Sequence, residues 1–256
     1  MKPLLAFLKK EFLDTVRTGR LMILLLIFAL FGIMSPAIAK LTPWMMEMMA
    51  DTMAQSGLVV TDVQVDAMTS WAQFFKNMPL GLIAFVLIFS DIFTKEYKSG
   101  TLLLVLTKGL ARYKVVLAKA ALMMLLWSGG YWMCFGITYG YNAWFWDNSI
   151  ANNLATAAGA WWLFGAWVIC LMVLFSALTR NNMGVCLCTG AAVILSYVLG
   201  LLPAVKPYAP TALMGANSLL AGAGGADTLE KAAVMAAALG ITCVAASIPI
   251  MNKKQL

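Results

Sequence analysis

The stretch DIFTKEYKSGTLLLVLTKGLARYKVVLAK, from Asp91 to Lys119, decides how this chain is read. It joins two long apolar runs, Met78 to Phe93 and Val115 to Tyr139. Within it lie Lys95, Lys98, Lys108, Arg112, Lys114 and Lys119, against only Asp91 and Glu96. A basic loop between two membrane spans belongs on the cytoplasmic side. The loop also carries an apolar patch that a solvated tether would not need. Gly100 gives the backbone freedom to leave the preceding helix. Leu102, Leu103, Val105 and Leu106 follow as a short apolar surface, which Gly109 ends. This pattern predicts a small helix across the mouth of the protein, offering apolar surface to another molecule.

Composition agrees with a membrane setting. Of the 256 residues, 62% are hydrophobic and only 11% are charged, well under half the charged share usual for a soluble domain. One aqueous core cannot hide that much apolar surface, so lipid must be the solvent. The net charge of +7 does not form a stripe or groove, which argues against a nucleic-acid partner. Instead the cations gather at span ends on one side. The five cysteines all lie in apolar runs, where they act as small hydrophobes. Cys186 and Cys188 lack further ligands nearby, so no metal site is expected. The chain has no histidine, which removes Ser-His hydrolases, HExxH metalloproteases and haem-His sites.

Taken in order, residues 3–19 are amphipathic. Leu5, Leu8, Phe12 and Val16 share a helical face, and Lys9, Lys10, Asp14 and Arg17 point elsewhere. The segment reads as an interfacial helix along the inner leaflet rather than a cleavable signal. Spans are expected at 21–39, 78–93, 115–139, 154–178, 183–202 and 232–251, with Pro36 kinking or ending the first. Between the first two lies an acidic outer region with Glu47, Asp51, Asp62 and Asp66. It is expected to hold two short helices on the outer leaflet, Trp44 to Ala54 and Val63 to Phe75. Small residues in the third span, Gly136-x3-Gly140 among them, are expected to let helices approach closely, either packing within the chain or, as the alternative, at a subunit interface. Thr179 to Asn182 makes a tight hairpin between the fourth and fifth spans. Pro203 to Lys231 is too apolar for a free loop and too broken for a span, so a short re-entrant or interfacial helix is expected at Thr211 to Leu220. Both termini fall on the basic, cytoplasmic side, and only Lys40, Lys76, Lys206 and Lys231 fall outside.

No ionisable residue sits at the middle of a span. Asp91 and Lys119 lie near cytoplasmic ends, where snorkelling or a pair such as Asp91 with Lys95 offsets the cost. That pattern counts against a proton-driven carrier and a charged selectivity ring. The chain contains no G-x4-GK[ST], so it has no P-loop of its own.

Glu96, Gly100-Thr101-Leu102, Leu106, Arg112 and Lys119 resemble the pattern E-x3-GTL-x3-L…R…K that follows the second span of ABC-2 type permeases. Ala111 stands where many members have Ser before the Arg. The resemblance covers the whole chain as a single domain, 1–256, from elbow helix to basic tail. It implies an all-α polytopic membrane protein with six transmembrane helices, an N-terminal elbow helix, a cytoplasmic coupling helix in the loop 96–112, and short outer-face helices. It further implies that Glu96, Gly100, Thr101, Leu102, Leu103, Leu106 and Arg112 couple the chain to a separate P-loop ATPase subunit, present twice per complex. A second permease subunit, identical or paralogous, completes the assembly. ATP and Mg belong to the ATPase partners; this chain is expected to bind no cofactor and to carry no catalytic residue. Glu96, set among Lys95, Lys98 and Arg112, is expected to hold the coupling helix against the bundle by a salt bridge. The uncharged spans suit export of a hydrophobic or amphipathic cargo such as a peptide, drug or lipid. An ATP-independent carrier or channel, a non-transporting scaffold and an intramembrane enzyme are the alternatives.

Overall fold

The computed structural model describes residues 2–55, 65–101, 107, 110–222 and 226–253. Its main helices are α1 (Lys2–Arg17), α2 (Arg20–Gln55), α3 (Ala67–Phe89), α4 (Thr94–Ser99), α5 (Arg112–Phe145), α6 (Leu154–Leu178), α7 (Asn182–Leu199) and α8 (Ala226–Lys253). Short 3-10 segments lie at Asn148–Ile150, Lys206–Tyr208 and Pro210–Ala221. No strand occurs among the described residues. Six helices are long and apolar enough to cross a membrane, so the fold is an all-α polytopic membrane protein.

Helix α6 is apolar all round, and such a helix belongs in the interior. It packs against α8, the Pro210–Ala221 segment, α5 and α7. Gly165 permits the closest of these approaches. A Cβ added there would lie 2.1 Å from Cζ2 of Trp127, a ring on α5 that is wholly buried. The ring is fixed from its edge too, because Nε1 donates to the Trp162 carbonyl at 3.0 Å. One turn on, the Tyr131 hydroxyl donates to the Ala158 carbonyl at 2.7 Å. Phe28 of α2 meets Trp127 edge-on at 5.8 Å, which carries the packing on to the next helix.

Helix α2 does not end at Pro36. It runs unbroken through Pro36 and Pro43 to Gln55. Proline at 36 removes the N–H that would bond the Gly32 carbonyl, four residues back. Thr138 of α5 supplies the missing donor: its hydroxyl reaches Gly32 O at 3.0 Å, while also lying 3.1 Å from Cys134 O. Neighbouring helices commonly satisfy proline-freed groups in this way within membranes. The Trp44 segment is therefore the C-terminal continuation of α2 rather than a separate helix. Likewise the residues from Ala67 to Phe75 are the N-terminal end of α3, capped by the Asp66 carboxylate on Thr69 N at 3.1 Å. The part of the outer region at 56–64 lies outside the described residues.

One other segment differs from expectation, and the short helix expected at Thr211 to Leu220 is present. Nothing lies within 4 Å of a Cβ built on Gly136 or Gly140, so that pair faces outward instead of packing within the described chain. Gly130 is the small residue that faces the chain's interior: a Cβ built there would lie 3.1 Å from a Phe28 ring carbon. The region around Thr211 to Leu220 is a 3-10 helix, begun by Pro210 at its first position, with Leu213, Ala216 and Leu220 buried. Trp161 of α6 anchors it by donating Nε1–H to the Met214 carbonyl at 3.2 Å. Helix α7 stands furthest out, with only Val185 and Thr189 buried.

Candidate functional site at the α1 end of the bundle

Asp91, Lys95, Glu96 and Lys119 of the Asp91–Lys119 stretch come together beside α1. Two faces of α1 explain why that helix takes part. Leu5, Phe12 and Val16 are exposed, whereas Phe7, Glu11 and Thr15 form a second stripe that is buried against α5 and α2. That second stripe was not separated from the first by periodicity alone, since Glu11 looks like one more solvated charge.

Glu11 meets a lysine that lipid snorkelling does not explain. Lys119, two turns into α5, is 1% exposed. Its ammonium donates to Glu11 Oε2 at 2.7 Å and to the Ile92 carbonyl at 2.8 Å, and lies 3.1 Å from Glu96 Oε2. Phe7 and Phe93 cover it with their rings at 5.8 and 5.5 Å. Lys10 closes the figure from the other side, 2.7 Å from Glu11 Oε1 and 3.2 Å from Glu96 Oε1. Each lysine thus bridges both glutamates, and the four-membered ring is electrically neutral. Its energetics follow from burial. Moving one such ion out of water costs several kcal/mol, which only close, multiple opposite partners offset. Burial alone would raise the Glu11 carboxyl, but the Lys119 charge and the Lys10 and Lys119 hydrogen bonds outweigh it and hold the group below its ordinary value. Burial opposes the Lys10 charge, and the two glutamates together still raise its pKa.

The neighbouring ions pair otherwise than sequence spacing suggests. Asp91 is held by Arg20 at the start of α2, in a two-pronged contact of 2.6 and 2.5 Å. Lys95 reaches across to Asp14 on α1 at 3.4 Å instead of turning back to Asp91. Arg112 is directed to the end of α8, where its Nη1 donates to the carbonyls of Met251 at 2.7 Å and Asn252 at 3.0 Å. A guanidinium on the last carbonyls of a helix also complements its dipole.

These contacts fix both ends of the loop. On the incoming side, Glu96 is gripped by the ring, the Thr94 hydroxyl donates to the Asn182 side chain of α7, and the Tyr97 hydroxyl lies 3.1 Å from the Met251 sulfur. On the outgoing side, Arg112 holds the carbonyl of that same Met251. Met251 therefore receives both limbs of the loop. Gly100 ends α4 with φ +66°, a left-handed conformation that favours glycine. Gly100 and Thr101 are exposed. Leu102, Leu103 and Leu106 lie outside the described residues. Of the coupling residues expected from sequence, Glu96 is thus sealed in the ring, Gly100 and Thr101 stand at the surface, and Arg112 caps α8. Lys10, Glu11, Tyr97 and Met251 are the participants that sequence reasoning missed, and Lys119 belonged to the motif without its buried partners being foreseen. Glu11 had one usable signal, its i, i+4 spacing between Phe7 and Thr15.

Among the described residues, no group of three or more histidine, cysteine or acidic side chains is placed to hold a metal ion. A family model described as "ABC-2 family transporter protein" matches residues 5–217. No curated protein and no solved structure matches the chain.

Proposed function

Because this chain belongs to the ABC-2 family of transporter proteins and so is a membrane permease of an ABC transporter, we propose that it exports a hydrophobic or amphipathic substrate, with energy from separate ATPase subunits docked on its 96–112 loop. Family membership implies association with an ATPase subunit. The proposed complex holds two ATPase copies, which carry ATP and Mg, and a second permease subunit, identical or paralogous. The proposed orientation places α1, the loop and both termini in the cytoplasm, in keeping with the bias of Lys and Arg toward that side.

The observation that carries the coupling role is the double fastening of the loop. A force applied at its tip has two rigid outlets: Glu96 leads into α1 and α5 through Lys119, and Arg112 with Tyr97 leads into α8. A loop tied to several spans in this way can move them together. Leu102, Leu103 and Leu106 supply the apolar docking surface in this reading. Burying each beneath a partner contributes about 1.5–3 kcal/mol. Cargo class rests on the absence of a central charge from every span.

The test is a double substitution, Leu102→Asp with Leu106→Asp, in the full complex. The variant keeps the ring and the Met251 clamp, so it is expected to insert and fold. It should lose copurification of the ATPase and substrate-stimulated ATP hydrolysis. A variant that still assembles and transports at the normal rate removes the loop from the coupling role.

A further inference from the structure

A cleft of about 490 Å³ lies beside the ion ring, between α1 and the facing ends of α3, α4 and α5. It has two unlike zones. Phe89, Ile92, Leu122 and Met123 form an apolar floor, while the rim is charged. The charged lining comprises Lys10, Arg20, Lys95 and Lys119 with the acids Glu11, Asp14, Asp91 and Glu96. Its depth is set by its walls: α1 exposes Leu5, Phe12 and Val16 on its lipid-facing side, and Arg20 marks the start of the first span. The cleft therefore sits where acyl chains give way to headgroups, on the side of the membrane that carries α1.

The rim charges are not equally committed. Arg20 and Asp91 grip each other at 2.5 Å, and Lys119 is sealed in the ring. The Lys95–Asp14 pair is different: it spans 3.4 Å, and both side chains are about half exposed, 48% and 53%. Such an open pair gains little by closing. A ligand that offers an anion to Lys95 and a cation to Asp14 can replace it at small cost. Lys10 adds a further donor, because its ammonium has three protons and the ring uses two. An anionic headgroup would satisfy the lysines but would place its charge against Asp14. A headgroup with both a phosphate and an ammonium satisfies all three, and acyl chains suit the apolar floor.

We infer that this cleft binds a phospholipid with a zwitterionic, ammonium-bearing headgroup, its phosphate on Lys95 and Lys10 and its ammonium on Asp14. The site touches Thr101, the exposed residue after Gly100, so the bound lipid lies against the loop as well as α1. The inference is independent of the transport reading.

The test uses the purified full-length chain in detergent, titrated with synthetic phosphatidylethanolamine or phosphatidylglycerol and weighed intact by native mass spectrometry. Wild type is expected to retain phosphatidylethanolamine about tenfold better, the value of one charge-assisted hydrogen bond. Asp14→Asn should bring the two lipids to near parity, because only the ethanolamine ammonium uses that carboxylate, whereas Lys95→Gln should weaken retention of both, because both carry the phosphate. Both positions are half exposed, so the variants should fold; if Asp14→Asn disturbs α1, the loss of both adducts in Lys95→Gln decides. Equal retention by wild type, a preference unchanged in Asp14→Asn, or undiminished retention of both lipids in Lys95→Gln overturns the assignment. Glycerophosphoethanolamine, offered at the lipid's own concentration, is expected to leave the adduct in place. Displacement by it would assign the cleft to a soluble zwitterion and overturn the lipid assignment.

Discussion

Lys119 is wholly buried about two helical turns inside α5, and no other described lysine is as deeply enclosed. Its ammonium donates to Glu11 and to the Ile92 carbonyl and forms an ion pair with Glu96. Replacing it by methionine keeps the length of the side chain but leaves two buried carboxylates with Lys10 alone. The expected cost is about 3–5 kcal/mol, the range for breaking a buried pair. Thermal unfolding in detergent measures it. Adding Glu11→Gln to Lys119→Met should recover part of the loss, since one stranded charge is then removed; a strictly additive double variant would show that the two groups do not interact. The same ring sets an acid limit. The Lys119 charge and the Lys10 and Lys119 hydrogen bonds hold the folded-state Glu11 carboxyl below its ordinary value, against the opposing effect of burial. Its contribution to stability is therefore present above the ordinary carboxylate value and is lost as pH falls through the lower folded value. A scan of unfolding temperature against pH should show an acid limb that Glu11→Gln flattens.

The helices show how a local rule yields to a neighbour. Proline at 36 predicts a break in α2, and in an isolated helix it would make one. The break is absent because Thr138, on another helix, bonds the carbonyl that proline leaves open. Thr138→Val should cost about 0.6–1.7 kcal/mol, the range measured for hydrogen bonds between membrane helices. In a Pro36→Ala background the restored N–H can serve Gly32, and the cost of Thr138→Val should shrink. Equal costs in the two backgrounds would mean that the hydroxyl is not compensating for the proline. Gly165 gives a companion case from packing. A methyl there would enter the ring of Trp127, so Gly165→Ala should destabilise the bundle by about 1–3 kcal/mol, and a smaller ring in Trp127→Phe should relieve it. These cases mark what was legible in the sequence. Six apolar helices and the turn at Gly100 follow from hydropathy and local chemistry, which are properties of consecutive residues. The partners of Asp91, Lys95 and Arg112 do not. Each was assigned to a sequence neighbour, whereas the fold gives it Arg20, Asp14 or the end of α8, elements brought close only by packing. The outer ends of α2 and α3 were missed for a related reason: amphipathic patterning cannot tell a helix lying on the bilayer from one continuing out of it.

At the scale of the molecule, the lengths and the charges make a joint statement about the membrane. Helix α2 has 36 residues and α5 has 34, so at about 1.5 Å per residue each is longer than the roughly 30 Å hydrocarbon layer by some 20 Å. Helix α7, with 18 residues, barely spans it. The two long helices run side by side, and at their far ends the Lys40 ammonium rests 3.7 Å above the Phe145 ring. At the opposite end of the bundle lie the ring, the Arg20–Asp91 pair and Arg112. If the second end faces the cytoplasm, as the Lys and Arg bias requires, then Ser56, in the segment between α2 and α3, faces outside, and Gln255, in the basic tail, faces inside. Cysteines introduced singly at those two positions, in a background freed of the five native ones, should react with a membrane-impermeant maleimide from opposite sides of the bilayer. Because α2 and α3 are joined outside while α8 returns the chain, the two sites are separated by an odd number of spans, five. Labelling of both from one side would require one helix fewer across the bilayer, and α7, the shortest and least buried, would be the one to lose its place.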